Sequence, residues 1–302
     1  MISILNAHNQ EFVTDLQRVT DQLNSDVLAV SSGVQMRQVS DNPDQVSALL
    51  QARATLAASQ QISTNLASVK NEVDTGEQAL EGAVQLFDQV QTAGAEGDTG
   101  TQSASTRTAL AQQLQNIEQQ MVNLANTTVN GRYIFSGDAD QVTPYTYDPT
   151  QANPVGAYQG SASTRVIEGT IGATFPVALT AQQIFDSSDP ATNAFSAING
   201  LIAALNSNDQ TAIQASVNGL AGVGVYLNNQ LAFYGNTQDN IASSADFAQT
   251  QQVEIQTQIS TLEDTNMTST ITDMTQAQIQ EQAALTSEGQ IPRSTLFDFL
   301  VS

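Results

Sequence analysis

The sequence predicts a mainly α protein, made of long antiparallel helical hairpins and coiled-coil-like terminal helices with a small central β-rich insert. Apolar residues recur in steps of three and four before residue 130 and again beyond about residue 190. Between these stretches, Asn130-Gly131-Arg132-Tyr133-Ile134-Phe135-Ser136-Gly137 changes character: two residues that tolerate positive φ, a run with aromatic and branched side chains, and a Ser-Gly turn. The 302 residues are 40% hydrophobic but only 5% aromatic, with no tryptophan. A core of Leu, Val, Ile and Ala suits helix seams. The expected division is 1–40 with 265–302 as a terminal helical assembly domain, 41–135 with 191–264 as a helical core, and 136–190 as an outer insert.

Phe12, Leu16, Val19, Leu23, Val27, Val30 and Val34 fall on one face of a first helix. Ser32-Gly33 breaks it, and Ser40-Asp41-Asn42-Pro43 restarts the chain with capping residues ahead of a proline suited to a first helical turn. The pattern then runs through Val46, Leu49, Leu56, Leu66, Val69, Val73, Leu80, Phe87 and Val90. A stripe of this length needs partners along its whole side. Gly94, Gly97 and Gly100 mark an expected loop at 94–100. A third helix over 101–129, with Leu110, Leu114, Ile117, Met121 and Leu124, is expected to pack back on the second as an antiparallel hairpin, with Asn130-Gly131 as its terminator.

Residues 138–190 hold Pro144, Pro149, Pro154, Pro176 and Pro190 and short alternating pieces, which predict several short strands leaning on the helices. A short helix over 193–205 precedes a long helical run to about Glu263, interrupted in pattern at Gly219, Gly222, Gly224 and Gly235. The last helix, 265–285, keeps Met267, Ile271 and Met274 in step but is crowded with Thr and Ser, which are mediocre helix formers. Beyond it lies an apolar tail with Leu296, Phe297, Phe299 and Leu300. Weak helices with apolar faces need a neighbour. The expected assembly interface is therefore Phe12, Leu16, Val19, Leu23, Val27 and Val30 together with Ile271, Met274, Leu296, Phe297, Phe299 and Leu300.

Thirty Asp and Glu against eight Lys and Arg give a formal net charge of -22, and the basic residues are scattered singly, so phosphate-backbone binding is excluded as a function class. No run approaches the roughly 20 apolar residues of a membrane span, so no membrane insertion is expected. The N-terminus shows neither a basic region nor an apolar core of a cleaved leader. Cysteine is absent, which removes disulfides and thiolate chemistry. His8 is the single histidine, so a Ser-His-Asp triad could be built only around this N-terminal residue, which reads as a surface histidine, and a two-histidine metal site lacks its second ligand. Asp138-Ala139-Asp140 lacks the rest of a calcium loop, Gly219-x-x-Gly222-x-Gly224 follows a helix instead of a strand, and Glu263-Asp264 are neighbours on different helix faces. No catalytic, cofactor-binding or metal-binding residue is expected.

These features resemble the flagellin superfamily, in its branch at the hook-filament junction of bacterial flagella. The matching residues are the seam from Phe12, Ser40-Asp41-Asn42-Pro43 (similar to Ser-Asp-Asp-Pro), Asn130 to Gly137 (similar to Asn-Gly-Arg-Tyr-Leu-Phe-Ser-Gly), and Leu262-Glu263-Asp264-Thr265-Asn266-Met267 before the last helix. The resemblance implies a non-enzymatic structural subunit, secreted through the flagellar type III apparatus. It further implies a homo-oligomeric ring between a hook-side junction protein and flagellin, and a cytoplasmic export chaperone. A filament-forming flagellin is the alternative, separable by self-elongation. A secreted enzyme would need a polar cluster that residues 138–190 do not supply.

Overall fold

The computed structural model describes residues 2–35, 43–168 and 174–289. The protein is mainly α. In chain order its elements are α1 (Ile2–Ser32), α2 (Pro43–Gly97), α3 (Ala104–Ala125), β1 (Thr128–Val129), β2 (Arg132–Tyr133), β3 (Val166–Glu168), β4 (Thr174–Pro176), α4 (Ala181–Phe185), α5 (Ala194–Ser207), α6 (Gln210–Glu263) and α7 (Met267–Gly289). They form two compact units, residues 59–250 and residues 1–58 with 251–302, and both α2 and α6 contribute to each.

The larger unit is a helical body carrying the insert. Antiparallel pairing of α2 with α3 follows from two contacts at opposite ends: Gly82 meets Leu124, and Arg107 Nε donates to the Gly97 carbonyl at 3.1 Å. Gly76 lies against Tyr234, Gly94 against Val217 and Leu220, and the Ser59 hydroxyl donates to the Ala248 carbonyl at 3.3 Å, so α6 also runs antiparallel to α2. α5 packs on α3. One continuous core results, from Leu66, Val73, Leu80, Phe87 and Val90 of α2 through Leu114 and Met121 of α3 and Ile198, Leu201 and Leu205 of α5 to Leu220, Leu227 and Tyr234 of α6.

Three expectations are corrected. The loop foreseen at 94–100 begins later, because α2 continues through Gly97: a Cβ at Gly97 would stand 2.5 Å from Leu205 and one at Gly94 3.1 Å from Leu201, so these residues let α5 approach the helix. The long helical run expected to about Glu263 is α6, which passes Gly219, Gly222, Gly224 and Gly235 without a break, with Gly222 beside the Ala191 carbonyl. The third helix stops at Ala125 instead of Val129. Asn126 caps it, and its side chain is drawn to Tyr145, donating to that carbonyl at 2.9 Å and accepting from that N–H at 3.0 Å. Thr128 and Val129 then pair with Tyr133 and Arg132, so Asn130-Gly131 (φ 52° and 77°) is a two-residue hairpin turn and not a helix end.

The insert has less sheet than its pattern predicts. Among the described residues it carries one antiparallel ladder, β3 with β4, and an isolated Tyr147–Val155 bridge. Its prolines withdraw the donors that further ladders need. α4 was missed, although Thr180 and Gln183 form a complete capping box that the Thr-x-x-Gln spacing encodes. The short helix expected at 193–205 is α5, capped by Asn193 and ended by Asn208 at φ 53°.

In the smaller unit α1 lies along α7. Leu49, Ala52, Ile255 and Ile259 form a small core, flanked by Val46, Leu56 and Leu262. The end of α1 is clasped to the α6–α7 link: Val34 and Asp264 form a β-bridge, Gln35 N–H donates to the Glu263 carbonyl at 2.8 Å, and Thr265 N–H to the Gly33 carbonyl at 2.9 Å.

Candidate assembly surface

A helix buries a stripe when its apolar residues recur every three or four positions, and α1 does this toward α7. Phe12, Leu16, Val19, Leu23 and Val30 are half-buried, Ala29 is buried, and Val27 at the edge of the stripe is 45% exposed. On α7, Thr270, Met274, Ala277, Glu281 and Ala284 form the less exposed face, with Ala277 fully buried. Ile271 lies beside that face and is 45% exposed, as Met267, Ile279 and Leu285 are also exposed. The residues named as the interface on α1 thus face the element that carries Ile271 and Met274, and the pairing leaves much of their apolar surface in water. Leu296, Phe297, Phe299 and Leu300 lie outside the described residues.

Within this seam one polar residue is enclosed. Asp26 is 7% exposed; its Oδ1 accepts from Gln22 Nε2 at 2.9 Å and its Oδ2 has no partner. Sequence reasoning passed over Asp26, although it occupies a seam position between Leu23 and Val30 and could have been found by that register. Of the carboxylates considered and set aside in the sequence, Glu263 pairs with Arg53 at 2.6 Å and Asp264 supplies backbone to the clasp. Asp140 lies 3.4 Å from Arg132.

The segment from Asn130 to Gly137 is the keystone of the larger unit. Phe135 is fully buried, edge-on to Phe185 (6.5 Å between ring centres) and to Tyr234 (6.3 Å). Its carbonyl accepts the N–H of Ala181 at 2.8 Å and the Tyr158 hydroxyl at 3.1 Å, tying α4 and the insert to one residue. The buried Ser136 donates to the Val142 carbonyl at 2.7 Å and accepts from Ser161 N–H at 2.9 Å. Arg132 reaches Glu72 of α2 at 2.8 Å, and the other oxygen of that carboxylate is taken by Arg165. Glu72, which the sequence did not single out, therefore holds both sides of the insert to α2.

Residues 5–140 match the bacterial flagellin N-terminal helical region. Flagellar hook-associated protein 3 of Escherichia coli K12 is 27% identical over 84% of this chain and 86% of its own length. Over residues 5–140 the chain is similar to the flagellin superfamily. Flagellar hook-associated protein 3 of Salmonella typhimurium LT2 is 30% identical over 58% of this chain and 57% of its own length. The crystal structure of Xanthomonas campestris FlgL shares the fold, with a TM-score of 0.60 and 19% identity over 69% of this chain and 99% of that one. Among the described residues no helix is long and apolar enough to cross a membrane.

Proposed function

We propose that the protein is a non-enzymatic structural adaptor at the hook-filament junction of a bacterial flagellum, joining a hook-side junction protein to flagellin. It is secreted by the flagellar type III apparatus after being held by a cytoplasmic export chaperone, and it assembles as a homo-oligomeric ring outside the cell. Residues 1–40 with 265–302 are the assembly domain, 41–135 with 191–264 the helical core, and 136–190 the outer insert. The reading rests on one observation above the others: α1 and α7 bring distant parts of the chain side by side, and leave Val13, Val27, Leu28, Met267, Ile271, Ile279 and Leu285 exposed. The relatedness to flagellar hook-associated protein 3 supports the same reading.

The joint is made by ordering terminal helices that are marginal alone. Burial of apolar surface in the ring, at about 25 cal/mol per Å², offsets the entropy lost on ordering. A carboxylate placed in that interface loses the apolar contact and adds a desolvation cost. Ile271→Asp is the sharper variant because Ile271 is exposed within the chain, whereas Leu23→Asp also disturbs the α1–α7 seam. Both are expected to leave secretion and the circular-dichroism signal of the larger unit unchanged. Both should abolish retention on hook tips, so that the subunit and flagellin are recovered from the medium. Normal filaments in a strain carrying Ile271→Asp would overturn the assignment of the joint, and self-elongation of the purified protein would favour a filament flagellin.

A further inference from the structure

Residues 144–159 of the insert fold as a narrow hairpin over α3. Gly156 N–H donates to the Thr146 carbonyl at 2.9 Å, Asp148 N–H to the Pro154 carbonyl at 2.8 Å, and Gln159 N–H to the Pro144 carbonyl at 3.0 Å. Its base is fastened by the two Asn126–Tyr145 hydrogen bonds, and its arm by the Tyr147 hydroxyl, which donates to the Gln115 carbonyl at 3.1 Å. On the same side of α3, one turn on from Gln115, stands Glu118. It is fully buried, and neither carboxyl oxygen has a hydrogen-bond partner. A buried carboxylate without a partner is strongly disfavoured as the anion, and a group in that position takes up a proton instead.

We propose that the hairpin at 144–159 is a pH-sensitive flap, shut over a protonated Glu118 and loosened when that side chain ionises and draws in water. Burial is the larger influence on Glu118 and raises its pKa from 4.5 to about 7, while the nearby Tyr147 hydroxyl, which donates to the Gln115 carbonyl, acts in the lowering direction. Tyr147 is itself pushed up to about 12, by burial first and the Glu118 charge second. The other charged groups on the neighbouring elements are exposed or engaged elsewhere, Glu72 by Arg132 and Arg165, Asp74 by Lys70 and Asp186 by Asn193. The only other charged residue of α3 is Arg107, about three turns off. α5 has no titratable side chain. On α2, Glu81, Asp88 and Glu96 are exposed and Glu77 accepts from Gln238. On the insert, Asp148 is exposed and engaged by Thr150 and Gln151, while Tyr145 and Tyr158 pack on each other.

The direction follows from linkage. The shut flap binds the Glu118 proton more tightly than the open one, so its closure is strongest below pH 4.5. Closure weakens about tenfold per unit as pH rises from 4.5 to 7, and levels off above, where both forms are ionised. The opening equilibrium therefore rises about 300-fold across that window.

Two measurements on the full-length chain test this. The carboxyl carbon of Glu118, followed by NMR in selectively labelled protein, should titrate near pH 7; a midpoint at or below 5 overturns the proposal, and this readout needs no variant. Hydrogen exchange of residues 144–159, corrected for the intrinsic pH dependence, should accelerate between pH 4.5 and 7 in the native protein. It should stay flat in Glu118→Gln, which keeps the shape and removes the ionisation. Equal acceleration in both proteins would overturn the flap even if the carboxyl titrated high.

Discussion

At the scale of single residues, the two glycines of the keystone segment separate two costs that are usually mixed. Gly131 has φ 77° with open space where a Cβ would stand, so Gly131→Ala bears only the left-handed backbone penalty, about 1 kcal/mol. Gly137 has φ 64°, and its Cβ would run into the carbonyl oxygens of Ser161 and Ser163. Those carbonyls belong to the backbone that Ser136 and Asp138 hold, since Ser161 N–H donates to Ser136 O at 2.9 Å and Asp138 N–H to Ser163 O at 3.2 Å. They cannot move without breaking those bonds. Gly137→Ala is expected to cost about 3 kcal/mol or more, at least twice the cost at Gly131, as read from urea midpoints at constant slope. Equal losses would mean that the 161–163 backbone yields freely.

At the scale of elements, Arg107 shows how helix ends are fastened without an ion pair. It is 4% exposed, and its guanidinium donates to the Gly97 carbonyl at 3.1 Å, the Thr99 carbonyl at 3.5 Å, Asn208 Oδ1 at 2.7 Å and Gln210 Oε1. These acceptors are the end of α2 and its following turn, the left-handed cap of α5, and the first residue of α6. The last carbonyls of a helix lack intrahelical donors, and a cation there also meets the favourable end of the helix dipole. Arg107→Met keeps the apolar stem and removes every donor, so about 2–3 kcal/mol of stability should be lost, with Arg107→Lys recovering only part because its ammonium cannot span the same fork. A loss below 0.5 kcal/mol in the denaturant midpoint would sink this. The comparison with sequence reasoning is instructive at this level. The seams of α1, α2 and α3 were legible because a stripe is written in local spacing, whereas on α7 only Met274 of the expected stripe lies on the less exposed face. Arg107, Glu72 and Glu118 were not legible, since each depends on residues from 8 to 103 positions away along the chain, and nothing in their own neighbourhood marks them. The glycines at the end of α2 misled for a related reason: they weaken a helix locally, and only the approach of α5 shows what Gly94 and Gly97 make room for.

At the scale of the whole molecule, the distribution of buried residues predicts two very different local stabilities. The continuous core runs from Leu66 to Ile241, wholly inside residues 59–250, and includes nearly every large side chain that is fully enclosed. In residues 1–58 and 251–302 the corresponding core is Leu49, Ala52, Ile255 and Ile259, and α1 and α7 add half-buried stripes, Ala29, Ala277 and the enclosed Asp26. Openings of α1 and α7 expose little apolar surface and so lie well below the free energy of global unfolding. A chain of residues 59–250 alone should therefore fold cooperatively, retaining the pairing of α2 with α3 and α6 and melting within a few degrees of the main transition of the full-length protein. In the full-length protein, amide exchange in α1 and α7 should be at least a hundredfold faster than in α3, measured under conditions where opening is at equilibrium. Protection of α1 equal to that of α3 would show that the terminal seam is already as stable as the core before any neighbour joins it, and would remove the energetic reason for coupling its ordering to assembly. Failure of residues 59–250 to fold would instead mean that the clasp at Val34 and Asp264, and the α1–α7 pairing behind it, support the larger core as well as their own unit.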